Sequence, residues 1–229
     1  MFSRLARPLE VRVLEAWSGR LGVALEALDR DGTVVVPDPR EHAAARRATL
    51  QTVRGTFVLA APGDIVAAST DPAGYEADVA ARQHDNALFH YLATSPGEPD
   101  ARVRTVNGAD RKLLEELHRA APSDEVEEAD VDVDHPLAVG IVESGRLVAI
   151  ASLLDEGEKA VDVGVLVHPD ARGRGLGAAV VNEVARRATR DGLLVQYRCA
   201  TENHASARLA QRCGFAAWGL LTVAPRDSG

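Results

Sequence analysis

The sequence predicts an α/β protein in two parts, a small α+β unit over residues 1–96 and a larger unit over residues 97–229. Three observations carry this reading. Beyond residue 100, apolar runs of strand length alternate with runs at helical spacing. The apolar runs 137–142 and 147–153 flank Glu143-Ser144-Gly145-Arg146, a segment suited to a hairpin turn. The stretch Ser95-Pro96-Gly97-Glu98-Pro99-Asp100 can continue neither a helix nor a central strand, so it reads as a linker.

In the first part, residues 9–21 and 75–91 read as helices, and 34–36 and 55–59 as strands. No chemistry is legible there. In the second part residues 102–106 form a short strand, and Leu113, Leu114 and Leu117 mark one helix face. Seven carboxylates then fall between Asp124 and Asp134. After the hairpin, 161–167 is a third strand. Leu176, Val180, Val184 and Ala188 recur at helical spacing. Arg186, Arg187 and Arg190 near the end of that helix suit its negative pole, and Gly192 suits the position just past it. A strand over 193–199, a short helix over 203–213 and a strand over 215–223 complete the order.

Composition narrows the function classes. With 46% hydrophobic and 26% charged residues the chain is a globular protein. No apolar run nears the roughly 18 residues of a membrane span, and Arg4 and Arg7 lead into no apolar segment. A cytoplasmic protein with no membrane partner is expected. Cys199 and Cys213 have no metal-ligand spacing and read as core thiols, so no metal is expected. A net charge of −8 argues against nucleic acid, whose phosphates demand basic surface.

The segment Arg172-Gly173-Arg174-Gly175-Leu176-Gly177-Ala178 places three glycines where a loop enters a helix. Free backbone N–H groups at a helix start attract phosphate oxygens, and glycine admits close approach. A phosphate-bearing ligand follows, against the plainer reading of a tight turn. Gly173, Gly175 and Ala178 also satisfy the dinucleotide pattern, with Arg198 where an NADP-preferring residue would stand. That reading fails, because only about fifty residues follow the loop and a hairpin precedes it, leaving no room for a six-stranded parallel sheet. No Lys-Ser/Thr follows the glycines, which excludes a P-loop.

The glycine segment resembles the coenzyme A signature of the GNAT N-acetyltransferase superfamily. Val165-Leu166-Val167-His168-Pro169 is similar to the fourth strand of that fold, and Asn203-His204-Ala205-Ser206 with Gly214-Phe215 to its second block. The likeness covers most of residues 102–220. It implies a mixed, mostly antiparallel sheet whose fourth and fifth strands splay apart, with the small α+β domain added at the N-terminus. It also implies acetyl-CoA as cofactor, its pantetheine on the backbone of Val165, Leu166 and Val167 and its pyrophosphate on the loop from Arg172 to Ala178. Asn203 matches a position that meets the pantetheine arm, and it also makes a good helix N-cap. The implied activity is transfer of an acetyl group to the primary amine of a small molecule, directly and within a ternary complex. A non-catalytic acyl-CoA sensor is the alternative.

Two departures from the family matter. A tyrosine that many members use to protonate the leaving thiolate corresponds to Ala210, and a common glutamate base corresponds to Arg198. Asp162, the one carboxylate in a valine-rich strand, is the candidate base, since desolvation raises a carboxyl pKa. The alternative is a strand carboxylate paired with an arginine. Glu202, His204 and His168 read as solvated loop residues. The acidic stretch is either a wall that attracts a cationic amine or a solvated loop. The second departure is the end of the chain: fourteen residues follow Phe215, enough for one strand where the family has two. The edge this leaves calls for a cover, either residues 54–61 of the N-terminal half or a second copy of the chain in a homodimer.

Overall fold

The computed structural model describes residues 2–38, 46–82, 85–157 and 159–225. The chain divides into two units, one of Met1–His90, Ala200–Glu202 and Ala216–Gly229, the other of Tyr91–Cys199 and Asn203–Phe215. Among the described residues no helix is long and apolar enough to cross a membrane.

The first unit contains α1 (Arg7–Leu21), α2 (Leu25–Leu28), β1 (Gly32–Pro37), β2 (Arg46–Thr52), β3 (Gly55–Ala60), α3 (Ile65–Thr70), α4 (Pro72–Ala81), most of β4 (Asp85–Leu92) and of β10 (Phe215–Pro225). Its strands lie in the order β1-β3-β2-β10-β4. β1 runs parallel to β3, while β2 is antiparallel to both β3 and β10. The partner of the last strand is therefore β2, registered from Gly219↔Thr52 to Pro225↔Arg46. The 55–60 strand expected in that role lies one place further out, because the tight β2–β3 turn brings β2 with it. A second expectation fails at residues 85–92, which form a strand instead of extending the helix from Tyr75. The helix ends at Ala81, and its cap residue Arg82 is already extended. Tertiary packing then decides: Phe89 is buried edge-on to Trp17, with ring centroids 5.3 Å apart, and aromatic residues suit a half-buried sheet. Trp17 also stacks on Trp218 at 5.9 Å.

The second unit contains β5 (Arg104–Thr105), α5 (Arg111–Ala120), α6 (Ser123–Ala129), β6 (Leu137–Glu143), β7 (Arg146–Asp155), β8 (Ala160–Val167), α7 (Leu176–Arg190), β9 (Leu194–Ala200) and α8 (His204–Arg212). Its strand order is β9-β8-β7-β6-β5. All pairs are antiparallel except β8 with β9. The β6–β7 turn follows from its residues. Ser144 and Gly145 both have positive φ, 50° and 76°, the geometry that closes a two-residue hairpin. α7 lies against β6, β7 and β8, burying Leu176, Val180, Val184 and Ala188 as their spacing requires. Past its end at Arg190 stands Gly192, at φ 76°. A cluster including Val106, Leu114, Leu117, Ile150 and Leu166 forms the core under α5.

The acidic stretch departs from a loop. Ser123–Ala129 is helical, with Asp124 and Glu125 in its favourable first turn. Its C-terminal end sits tightly on β8. A Cβ at Gly164 would lie 2.2 Å from the Ala129 carbonyl oxygen, so only glycine permits this approach.

Producing residues 97–229 alone removes β2, Trp17 and Phe89. The segment 219–225 then loses its ladder, and Trp218, 2% exposed in the full chain, loses its stack. The expected product is aggregated or poorly folded. A soluble monomer with a cooperative melt would show that β10 does not depend on β2.

Candidate functional site

The site begins where two strands separate. β8 and β9 pair as Ala160↔Leu194, Val161↔Val195 and Asp162↔Gln196, and there the ladder ends, although both strands run on. Backbone parity shows what the separation leaves. Lys159 accepts from the Leu194 N–H, so the odd positions of β8 face β9. His168 donates its N–H to Val148, so the even positions face β7. Val165 and Val167 thus turn backbone donors and acceptors toward the gap, with the Arg172 Nε donating to the Val167 carbonyl at 3.4 Å. Leu166 is placed otherwise: it pairs with Ile150 of β7 and buries its side chain in the core.

The glycine loop lies at the open end of this gap. Gly173 and Gly175 have φ of 75° and 77°, the left-handed region that disfavours a side chain, and a Cβ at either would project into open space. Gly175 caps α7 without a side-chain hydrogen bond, and the first backbone bond of the helix is Ala179 N–H to Gly175 O. The amides of Leu176, Gly177 and Ala178 therefore point out of the helix start. At Gly177 a Cβ would meet Val167 and Leu209 at 3.3 Å, so glycine lets α7 begin close to both β8 and α8. The two loop arginines are engaged. Arg172 forms a two-pronged pair with Glu125, and Arg174 one with Glu143 at 2.8 and 2.9 Å. Arg174 holds the Glu143 carboxyl below its usual range.

Across the gap, Asn203 does two things. Its Oδ1 accepts from the Ser206 N–H at 3.0 Å and caps α8, and its Nδ2 donates to Glu128 at 2.8 Å. The Tyr197 and Ser206 hydroxyls are 2.8 Å apart. Burial pushes the Tyr197 phenol far above its ordinary range. At the vertex, Asp162 is 5% exposed. It accepts from Gln196 Nε2 at 3.3 Å and faces the Arg198 Nε at 3.4 Å. Gln196 in turn accepts from the Tyr91 hydroxyl at 3.0 Å. Ala210 is fully buried.

Of the loop residues set aside as solvated, Glu202 and His204 are exposed, but His168 is 9% exposed. His168 Nδ1 accepts from the Asp170 N–H, and its Nε2 lies 2.7 Å from Arg146. A contact invisible in the sequence pairs His135 Nδ1 with the buried Ser152 hydroxyl at 2.9 Å.

An uncapped helix start beside a strand edge that has left its ladder fits a ligand with phosphates at one end and an amide-bearing arm. Residues 106–215 match the Acetyltransferase (GNAT) family. They form a GNAT acetyltransferase domain. No curated protein matches the chain in sequence. Among solved structures, it is similar to a protein from Novosphingobium aromaticivorans described as a GNAT-family acetyltransferase. Identity is 20% and the TM-score 0.50, over 63% of this chain and 66% of that one. It is also similar to a GNAT-family acetyltransferase from Colwellia psychrerythraea, with 13% identity and a TM-score of 0.52 over 96% and 74%. At such identities the likeness is one of fold. This chain spans just under two thirds of the first neighbour and about three quarters of the second. Family and fold support acyl transfer in general, and GNAT domains generally use acetyl-CoA.

The GNAT domain's thiols are buried and chemically quiet. Desolvation raises Cys199 and Cys213 to about 11 each. At pH 8 the thiolate fraction is then roughly one in a thousand, and only the thiolate attacks. Native protein should resist alkylation at that pH and take up two equivalents once unfolded. Mass spectrometry of iodoacetamide-treated samples reads the difference, and rapid native labelling would contradict the burial of these groups.

Proposed function

We propose that the GNAT domain transfers an acetyl group from acetyl-CoA to a primary amine of a small molecule, by direct attack within a ternary complex. The observation that carries this is the gap between β8 and β9, with the uncapped start of α7 at its open end. In this reading the pyrophosphate rests on the amides of Leu176, Gly177 and Ala178, with Gly173 and Gly175 leaving it room. The backbone of Val165 and Val167 and the Asn203 amide take the pantetheine. Acetyl-CoA supplies the thioester, and the chain orients it and excludes water. Holding an amine against a thioester is itself a large effect, worth up to about 7–11 kcal/mol in well-oriented systems.

Asp162 stands at the vertex of the gap, and we assign it the amine's proton. To accept it, the carboxylate gives up the contact with Gln196 or works through an intervening water. The acidic residues Asp124, Glu127 and Asp130 are exposed on and beside α6, which supports a cationic acceptor. A cytoplasmic location fits the reducing conditions that free thiols suit. The second reading, an acyl-CoA sensor without turnover, is favoured by Ala210, which puts a methyl group where many relatives have an acid.

Thiol release from acetyl-CoA with a panel of amines tests the function, with turnover on cationic amines expected. Binding without turnover on any amine would leave the sensor. Gly175→Val should weaken coenzyme A binding roughly tenfold or more by calorimetry, a loss of ~1.4 kcal/mol. Gly192→Val is the control. It imposes similar backbone strain, at φ 76°, at the other end of α7, and should leave affinity unchanged. Equal affinity of Gly175→Val and parent would remove the loop from the cofactor site.

Asp162→Asn should lower kcat by about 10²–10⁴-fold, the usual worth of a general base. Its acetyl-CoA Kd should stay close to that of the parent. Equal kcat in both proteins would pass the proton to water.

A further inference from the structure

α6 joins the two sides of the gap. Glu125 and Glu128 lie three residues apart on it, on one helix face. Glu125 grips Arg172, which follows β8, with one arm at 3.1 Å. Glu128 accepts from Asn203, which follows β9, at 2.8 Å. The helix thus reaches from one strand's end to the other's where the strands have parted. Its far end is held by backbone, with the Ala129 and Asp130 carbonyls over Gly164 and the chain turning back through Asp130 at φ 43°. Val126 and Ala129 pack on the core cluster.

We propose that Glu125 and Glu128 are positioning residues of the cofactor site, holding Arg172 and Asn203 until coenzyme A takes both over. The proposal rests on the reading of the gap as the coenzyme A site. A carboxylate and a phosphate compete for the same guanidinium fork, so Arg172 meets a phosphate only as Glu125 lets go. Both partners are partly solvated, with side chains 44% and 36% exposed, so the exchange is cheap and reversible. Asn203 can change partners without uncapping α8, because its Oδ1 stays on Ser206 while its Nδ2 turns from carboxylate to pantetheine carbonyl. The two glutamates act on different parts of the cofactor. Glu125 opposes the phosphates by charge and by occupying Arg172, whereas Glu128 occupies the contact for the uncharged arm.

The test is calorimetry on the full chain with coenzyme A and with pantetheine, which has no phosphate. Glu125→Gln should bind coenzyme A about two- to fivefold tighter, the range of a partly exposed ion pair, with pantetheine unchanged. Its affinity for coenzyme A should also fall more steeply with salt, because an unpaired arginine now meets the phosphates. Glu128→Gln should tighten both ligands by similar factors. A purely structural role for α6 predicts lower melting temperatures and weaker binding of both. Affinity for coenzyme A at or below the parent's in both variants, with Gly175→Val still impaired, overturns the proposal and leaves the site intact. Failure of Gly175→Val to impair binding overturns the site itself, and this proposal with it.

Discussion

The separation of β8 from β9 after Asp162↔Gln196 is the constraint on which the rest of the second unit depends. A parallel pair that stops short leaves backbone N–H and C=O groups without a ladder, and such groups need partners from elsewhere. The protein fixes this geometry from several directions. At the vertex, Asp162 ties the two strands together through Gln196 and Arg198. On one face α6 rests its carbonyls on Gly164, and at the open end Gly177 seats α7 against Val167 and Leu209. Each hold requires a particular small or polar residue. A side chain at Gly164 or Gly177 would force apart the elements that border the gap.

Charge follows the same logic. The chain carries a net −8, yet an anionic cofactor is proposed to enter it. The loop arginines do not simply offset that charge, since Glu125 and Glu143 engage both. The field at the loop is then set by α7. Its start presents a partial positive charge and oriented amides, and no side chain caps it. Recognition by fixed backbone dipoles needs no arginine to be free beforehand, which is consistent with two arginines serving to brace the loop.

What could be read from the sequence divides along physical lines. Elements governed by local periodicity or by a backbone demand were legible: α7, the β6–β7 hairpin, Gly192 after α7 and the glycines before it. Elements governed by tertiary packing were not. Residues 85–92 are a strand because Phe89 meets Trp17, a contact across more than seventy residues. β2, with its two arginines and two threonines, carries too weak an alternation to stand out, and its place beside β10 comes from the sheet. In the site, the glycine loop was visible because φ above zero restricts the residue type. The pairs Glu125–Arg172 and Glu128–Asn203 span 47 and 75 positions, and nothing local marks them. His168 looked like a loop residue because its neighbours are Pro169 and Asp170. It is buried, and Arg146 from the distant hairpin contacts its ring.

The family's missing acid and base bear on how the chemistry is shared out. Ala210 has no polar atom and no exposure, so nothing at that position can protonate a departing sulfur. The nearby phenol of Tyr197 does not replace it, because burial pushes its pKa far up and Ser206 engages its hydroxyl. A strong acid is less necessary here than it would be for an alkoxide. A coenzyme A thiol resembles cysteine, with a pKa of about 8.5, and departs tolerably as the anion. At most about 10²–10⁴-fold is lost with the acid, while orientation of amine and thioester supplies more. A site of this kind depends on how firmly the cofactor is held. In the proposed reading that hold falls to the backbone of β8, the start of α7 and the residues that α6 engages.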